Sequence, residues 1–121
     1  MATFVFPKGN KIVAYNAIII LPTTYFDNIT GTKTGDDIEG ERITQFSWQI
    51  LGTPGTQVFE VSYDGGTTFI GVQVKNLNTG VTAVNMTVAS VYSFNEHWPI
   101  GRFRITGAAT NMTLIPSGKG F

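Results

Sequence analysis

The sequence predicts an all-β fold: an antiparallel β-sandwich, either immunoglobulin-like or a jelly roll, of about eight strands. Apolar and polar residues alternate in most segments, as in Phe46-Ser47-Trp48-Gln49-Ile50, and this period of two is that of a strand with one buried face. No window keeps the helical spacing of apolar residues for three turns. Clusters of Gly, Asn, Asp and Pro recur roughly every dozen residues, which is too close for the crossovers that parallel strands require.

Further strands follow from the same alternation. Residues 59–63 precede Asp64-Gly65-Gly66, which tolerates a positive φ, so we expect a hairpin that pairs 59–63 with 69–74. Each strand is expected to have one polar face, and the cluster at 107–110 is expected to separate two strands. The core-facing residues predicted in this way are Phe59, Val61, Tyr63, Ile70, Val72, Val74, Val84, Met86, Val88, Phe103, Ile105, Met112 and Leu114.

One apolar run, from Val13 to Leu21, breaks the alternation. Both faces of such a strand require burial. Either the run is a central strand whose second face lies under a loop or the N-terminal segment, or its outer face packs against another protein chain. The second alternative is kept because contiguous exposed apolar surface usually marks an interface.

Length and composition indicate a single domain, 1–121, whose first ten residues are compatible with an extended arm. A chain of 121 residues can bury a sufficient core without disulfides, and this one has no cysteine. Charged residues make up only 13% of the chain, against about 25% in typical domains. The surface must therefore consist largely of Thr, Asn, Ser, Gln and Gly, which suits lateral protein contacts because few charges need to be buried.

Charge and hydropathy argue against two classes of partner. The eight basic and eight acidic side chains cancel, and no two Lys or Arg residues are adjacent, so nucleic acid is not an expected partner. The longest apolar segment, Ala17 to Leu21, is far shorter than the roughly 18 residues of a membrane span, and the N-terminus shows no signal-peptide pattern. We therefore expect no membrane partner and no secretion.

The sequence predicts no catalytic, cofactor or metal site. The single histidine, His97, lies in a predicted loop without a nucleophile beside it, so we expect it to be solvated or hydrogen-bonded to the backbone. The acidic segment from Asp36 to Glu41 is the one candidate for a cation such as calcium, but its spacing does not match an EF-hand, and a solvated loop is the favoured interpretation. The long loop predicted from Asn28 to Gly40 is a candidate contact region.

The two tryptophans differ in their expected exposure. Trp48 is in phase with the apolar residues of its strand, so we expect it in the core. Trp98 lies in a predicted loop and is expected to be partly exposed. A platform of Trp98, Tyr92 and Tyr25 would suit the flat face of a sugar, and a glycan-binding module is therefore an alternative function.

Two segments resemble a known group of proteins. They are Phe59-Glu60-Val61-Ser62-Tyr63-Asp64-Gly65-Gly66-Thr67-Thr68-Phe69 and Gly101-Arg102-Phe103-Arg104-Ile105-Thr106-Gly107. A V-S-x-D-G-G hairpin and a late R-F/Y-R-I/V strand recur in small β-sandwich proteins of tailed-bacteriophage virions, and also in galactose-binding-like jelly rolls. The resemblance covers about residues 41–115.

This resemblance implies a non-enzymatic structural part of a phage virion that is assembled in the host cytoplasm. The lead interpretation is a capsid decoration protein, a homo-oligomer that stabilises the shell through contacts with the major capsid protein or other virion proteins; a tail, neck or fibre component is the alternative. The arm could add a strand to a neighbouring sheet edge. The predicted contact residues are Phe4, Phe6, Pro7, Ile18, Ile20, Tyr25, Phe26 and Trp98.

Overall fold

The computed structural model describes residues 24–120 and, by their backbone alone, residues 2–4 and 18–20. Every regular element in these ranges is a strand: eight strands have three or more residues and three have two. The strands are β1 (Ala2–Phe4), β2 (Ile18–Ile20), β3 (Phe26–Thr34), β4 (Ile38–Glu39), β5 (Ile43–Thr53), β6 (Thr56–Ser62), β7 (Ile70–Gly71), β8 (Val74–Asn76), β9 (Thr82–Ala83), β10 (Val91–Ser93) and β11 (Ile100–Gly120).

The predicted all-β fold with antiparallel pairing is confirmed. Within the described ranges every pair of strands is antiparallel except β1 with β2, which is parallel. The strands form one hydrogen-bonded sheet that curls until its two halves face each other. Because the sheet is continuous, neither the immunoglobulin-like nor the jelly-roll form of a sandwich is confirmed. The described residues include no helix long and apolar enough to cross a membrane.

The 21-residue strand β11 organises the whole sheet. Along one edge it pairs first with β6, opposite 100–107, and then with β5, opposite 110–120. Along its other edge it pairs with β4, β3 and β2 in turn. Strand β11 is therefore paired along both of its edges, and β7, β8, β9 and β10 extend this three-stranded ribbon outwards.

A corner in the ribbon turns one half of the sheet over the other. Register shifts in the pairing of β11 cluster between Ile105 and Leu114. In this region the partner strand along one edge of β11 changes from β6 to β5. Gly55 lies at this corner with a φ of 66°, and a Cβ there would overlap the carbonyl oxygen of Gly107. Bulges and glycines are the usual means of bending a strand sharply without breaking its pairing.

Aromatic rings from both halves of the sheet form one core. The Phe59 ring of β6 lies 5.4 Å from Trp48 of β5, 5.0 Å from Phe103 of β11 and 5.2 Å from Trp98, measured between ring centroids. Such separations favour tilted and edge-to-face contacts between rings. The alternation predicted for β5 is confirmed, because Phe46, Trp48 and Ile50 are buried while Gln49 faces outwards.

The predicted hairpin at Asp64 is confirmed, over a shorter length than the predicted pairing of 59–63 with 69–74. Glu60 pairs with Gly71 and Val61 with Ile70, so β6 and β7 are antiparallel neighbours around the 64–66 turn. The expectation that every strand has one polar, solvated face is wrong for β6. Glu60 and Ser62 are both buried, although they alternate with the core residues Phe59 and Val61. An apolar residue of the following segment covers part of this outer face, since Val84 lies against Gly71, beside Val58 of β6.

Three other predictions of element boundaries are wrong. Residues 107–110 do not separate two strands; they form the corner inside β11. The loop predicted from Asn28 to Gly40 is largely strand, because β3 accommodates Asn28 and Gly31 as positive-φ irregularities along the edge of β11. Residues 84–88 form no strand: Met86 is buried and bridges to Gln57, while Val84 and Val88 are exposed.

The N-terminal predictions fall mainly outside the described residues. The backbone of β2, which is part of the apolar run 13–21, lies between β1 and β11 in the sheet. The backbone of β1, part of the predicted arm, pairs with β2 of the same chain. The remainder of the arm and of the apolar run lies outside the description.

Candidate functional site

The structure places the predicted contact residues in three different situations. Phe26 and Trp98 are 1% and 0% exposed within the core, so their prediction as surface contact residues is wrong. Tyr25 is half-buried. The remaining predictions concern side chains outside the description: Phe4, Ile18 and Ile20, which are located only by their strand backbones, and Phe6 and Pro7.

Trp98 closes the core at the end where β6 finishes and β11 begins. Its indole lies against Gly40, where any Cβ would overlap the ring, and its centroid is 5.1 Å from that of Phe46. The backbone of Gly40 donates a hydrogen bond to the carbonyl of Pro99. The predicted sugar platform is therefore not formed, because Trp98 and Tyr92 are both buried and present no flat face to solvent.

Tyr25 attaches the segment before β4 to the core. Its hydroxyl donates to the carbonyl of Asp36, and its ring packs edge-on against Phe26 and Phe103. Burial is the main reason that the pKa of Tyr25 lies far above its ordinary value, with a smaller contribution from the nearby carboxylates of Asp36 and Asp37. The phenol therefore stays neutral and acts as a hydrogen-bond donor.

The hairpin turn after β6 is built around one carboxylate. Asp64 Oδ1 accepts hydrogen bonds from the Ser62 hydroxyl at 2.7 Å and from the backbone N–H groups of Thr67 and Thr68 at 3.1 and 2.8 Å. The bond from Thr68, followed by that from Ser62, lowers the pKa of Asp64 to about 2. The Ser62 hydroxyl also accepts from Gly66 N–H, so its donor and acceptor roles both serve the turn.

Acidic residues collect at one end of the molecule, which we call the loop end and define as segments 35–41, 63–68 and 95–99. Contacts between Tyr63 and the His97 carbonyl, and between Gly40 and Pro99, hold these segments together. His97 Nε2 lies 4.0 Å from Glu41 Oε2, with both side chains exposed. Within the described chain no three His, Cys, Asp or Glu side chains are placed to hold a metal ion. Six of the eight acids are at the loop end: Asp36, Asp37, Glu39, Glu41, Asp64 and Glu96.

A separate cluster of charges lies on the outer face of β6 and β11. Glu60 and Arg102 are directly opposite each other in the strand register, and Arg104 is two residues further along the same face. The Glu60 side chain is 3% exposed and accepts hydrogen bonds from Arg102 Nε at 2.7 Å and from Arg104 Nε at 3.2 Å. One buried carboxylate thus orients two arginines. We call these three residues the arginine pair and its anchor.

Phe69 adds an aromatic surface to this cluster. The guanidinium carbon of Arg102 lies 3.8 Å from the Phe69 ring centroid, which is a cation–π contact. The residues directly opposite Arg104 are uncharged, Val58 on β6 and Thr34 on β3. Arginine and aromatic residues in an otherwise neutral setting are the composition typical of protein-binding hot spots.

The outer face of β5 and β10 carries two shallow grooves that share Leu77. One, of about 450 Å³, is lined by small polar residues including Ser47, Ser93 and Ser117. The other, of about 490 Å³, is lined by Leu51 and Val91 among others. Lys119 is the one charged residue among the described residues that line either groove. This face therefore has the low charge that the composition predicted.

Sequence reasoning missed the arginine pair. The alternation of Arg102 and Arg104 with Phe103 and Ile105 was visible, and it placed the two arginines on one face. The pairing of β11 with β6 was not visible, since alternation identifies faces and not neighbouring strands. Without that register, Glu60 could not be assigned to Arg102.

Comparison with known proteins gives one informative match. No family model and no curated protein matches the sequence. The crystal structure of the SPBc2 prophage-derived protein YomS is similar in fold, with a TM-score of 0.74 and 12% sequence identity. The match covers 91% of this chain and 100% of the YomS chain. At this identity the likeness establishes a shared fold over nearly the whole chain.

Proposed function

We propose that the protein is a non-enzymatic structural component of a tailed-bacteriophage particle, and that it acts through protein–protein contacts. The observation that carries this proposal is the shared fold with a prophage-derived protein over 91% of the chain. The phage-like hairpin and late strand noted in the sequence support it, since the structure pairs them directly as β6 and β11.

The described surface is suited to contacts with other proteins. At the loop end the carboxylate of Asp64 is held in its turn and that of Glu41 lies beside His97, and the described residues include no cluster that could bind a metal. The outer face of β5 and β10 is nearly free of charge and carries the exposed apolar side chains Leu51, Leu77 and Val91. Burying such a surface against another protein costs little desolvation of charges.

The specific role that we propose is capsid decoration, in which copies of the protein assemble as an oligomer over the shell. The experiment is co-sedimentation of the purified protein with particles from which it has been deleted, combined with multi-angle light scattering of the protein alone. We expect an oligomer, and saturable binding to capsids with a fixed copy number per particle. Complete particles, whose sites are occupied, are the control and should bind no more.

The outcomes separate the proposals. Binding to purified tails and not to capsids would replace decoration by a tail, neck or fibre role. A protein that binds neither capsids nor tails would refute the proposed function as a whole, and glycan-binding assays would then be the next measurement.

A further inference from the structure

We propose that Arg102 and Arg104 bind a carboxylate side chain of the protein's partner in the particle, with Glu60 as the residue that positions them. This inference rests on the proposed function and adds the chemistry of one contact. It assigns a role to the second cation of this cluster, Arg104.

The first step of the argument is the unequal charge of the cluster. A carboxylate that is 3% exposed needs one cation to offset its loss of hydration, and Arg102 supplies it at 2.7 Å. Arg104 is a second cation on the same carboxylate, at 3.2 Å, with 41% of its side chain exposed. Neutralising Glu60 leaves one positive charge in excess at the surface.

The second step is the edge by which each guanidinium is held. In the described part of the chain every side-chain hydrogen bond of Arg102 and Arg104 runs through Nε, to the oxygens of Glu60. The terminal Nη groups of both side chains thus remain available to a ligand. These amino groups form the planar fork that matches a carboxylate in a two-point hydrogen bond.

The third step is preorganisation. Glu60 fixes both guanidinium groups, and the guanidinium carbon of Arg102 lies 3.8 Å from the centroid of the Phe69 ring. Arginine loses substantial side-chain entropy on binding, and a side chain already held in place loses less. The Arg104 neighbours Val58 and Thr34 add no competing charge. An exposed, restrained, positively charged pair is therefore ready to receive an anion.

The occupant that fits is a protein carboxylate. The chain has no net charge and no adjacent basic residues, so a polyanionic nucleic acid would find no second region of positive potential to follow. A single Asp or Glu on a largely uncharged partner surface requires only the one excess charge that the pair provides. Such a contact gives register and orientation to an interface otherwise dominated by polar and apolar surface.

The test is co-sedimentation with particles lacking the protein, using Arg104→Gln and the matched control Lys75→Gln. Both variants remove one positive charge from a solvent-accessible side chain, and Lys75 lies on β8, which pairs with β9 and β10 in the described sheet, whereas the arginine pair lies on β11 opposite β6. We expect Arg104→Gln to weaken binding at least tenfold and to reduce its dependence on salt, while Lys75→Gln stays within about twofold of the wild type. Arg104→Lys, which keeps the charge beside Glu60 and loses the fork, should recover binding only in part.

Equal losses of binding in the two Gln variants, or wild-type binding by Arg104→Gln, would contradict the proposed contact between the arginine pair and a partner carboxylate. Either result would leave the proposed function standing. Release of the bound wild type by added double-stranded DNA, which would indicate a phosphate ligand, would contradict the contact in the same way. If circular dichroism shows that Arg104→Gln is unfolded, the Arg104→Lys variant becomes the test. Full wild-type affinity of Arg104→Lys would contradict the proposed two-point hydrogen bond between the arginine and a carboxylate. Absence of particle binding by the wild type would instead refute the proposed function.

Discussion

The indole of Trp98 illustrates how one residue far away in the sequence determines a side chain's environment. A Cβ at Gly40 would overlap the indole, and Gly40 is also hydrogen-bonded to Pro99 beside it. We expect Gly40→Ala to lower the free energy of unfolding by about 1 to 3 kcal/mol, because the ring must move out of a packed core. Urea denaturation followed by circular dichroism measures this change.

The control for this prediction is the same substitution in a Trp98→Phe background. Phenylalanine lacks the six-membered part of the indole that Gly40 contacts, so Gly40→Ala should cost less there than in the wild type. Equal costs in both backgrounds would show that Gly40 is required for its backbone alone.

At the scale of single residues, the sequence predicted the burial of Trp48, which lies in a strand, but not that of Trp98, which was expected in an exposed loop. Trp48 is buried as its alternation with Phe46 and Ile50 required. Trp98 has no such periodicity, and its burial depends on Gly40, which is brought against it only by the pairing of β4 with β11. The polarity of the residues next to a tryptophan in the sequence therefore does not predict its exposure when tertiary contacts bury it.

At the scale of elements, the hairpin between β6 and β7 depends on the charge of Asp64. Hydrogen bonds from Thr68 and Ser62 lower its folded pKa from 3.8 to about 2. A lowered folded pKa means that the ionised carboxylate stabilises the folded state above pH 3.8, and that this stabilisation is lost as the pH falls through about 2.

Asp64→Asn tests this dependence, because the amide keeps an acceptor oxygen and removes the charge. We expect the variant to melt at a lower temperature than the wild type at pH 7, and the two melting temperatures to converge as the pH falls from about 4 to about 2. The measurement is thermal unfolding across that range, with Asp27→Asn, on the exposed edge of β3, as the charge-matched control. A difference that is constant with pH would contradict the assignment.

The elements themselves were predictable to different degrees. Alternation located β5 and β6, and Asp64-Gly65-Gly66 located the hairpin. The Gly-rich segment 107–110 indicated a turn between strands, yet the structure uses it as a corner inside β11. Glycine permits both outcomes, and only the continuous pairing of β11 with its neighbours on both edges decides between them. The Glu60 anchor was missed for the same reason, since strand register is a property of the whole fold.

At the scale of the whole molecule, the curled sheet should unfold as one cooperative unit. Strand β11 belongs to both halves of the sheet, and the ring of Phe46 lies 5.3 Å from Trp48 and 5.1 Å from Trp98. The two indoles therefore report on two parts of a single connected core. Variants with one tryptophan, Trp98→Phe and Trp48→Phe, isolate the two signals.

We expect the fluorescence midpoint of each single-tryptophan variant to coincide with the circular dichroism midpoint of that same variant in urea, which is the behaviour of a two-state domain. The reason is that Trp98 cannot leave the core without exposing Phe46 and Phe59, which also pack against Trp48. If the Trp98 signal changed at lower urea than the circular dichroism of the Trp48→Phe variant, the loop end would open as a separate unit. In that case the acidic segments, and not the arginine pair on β11, would be the part of the molecule able to rearrange against a partner.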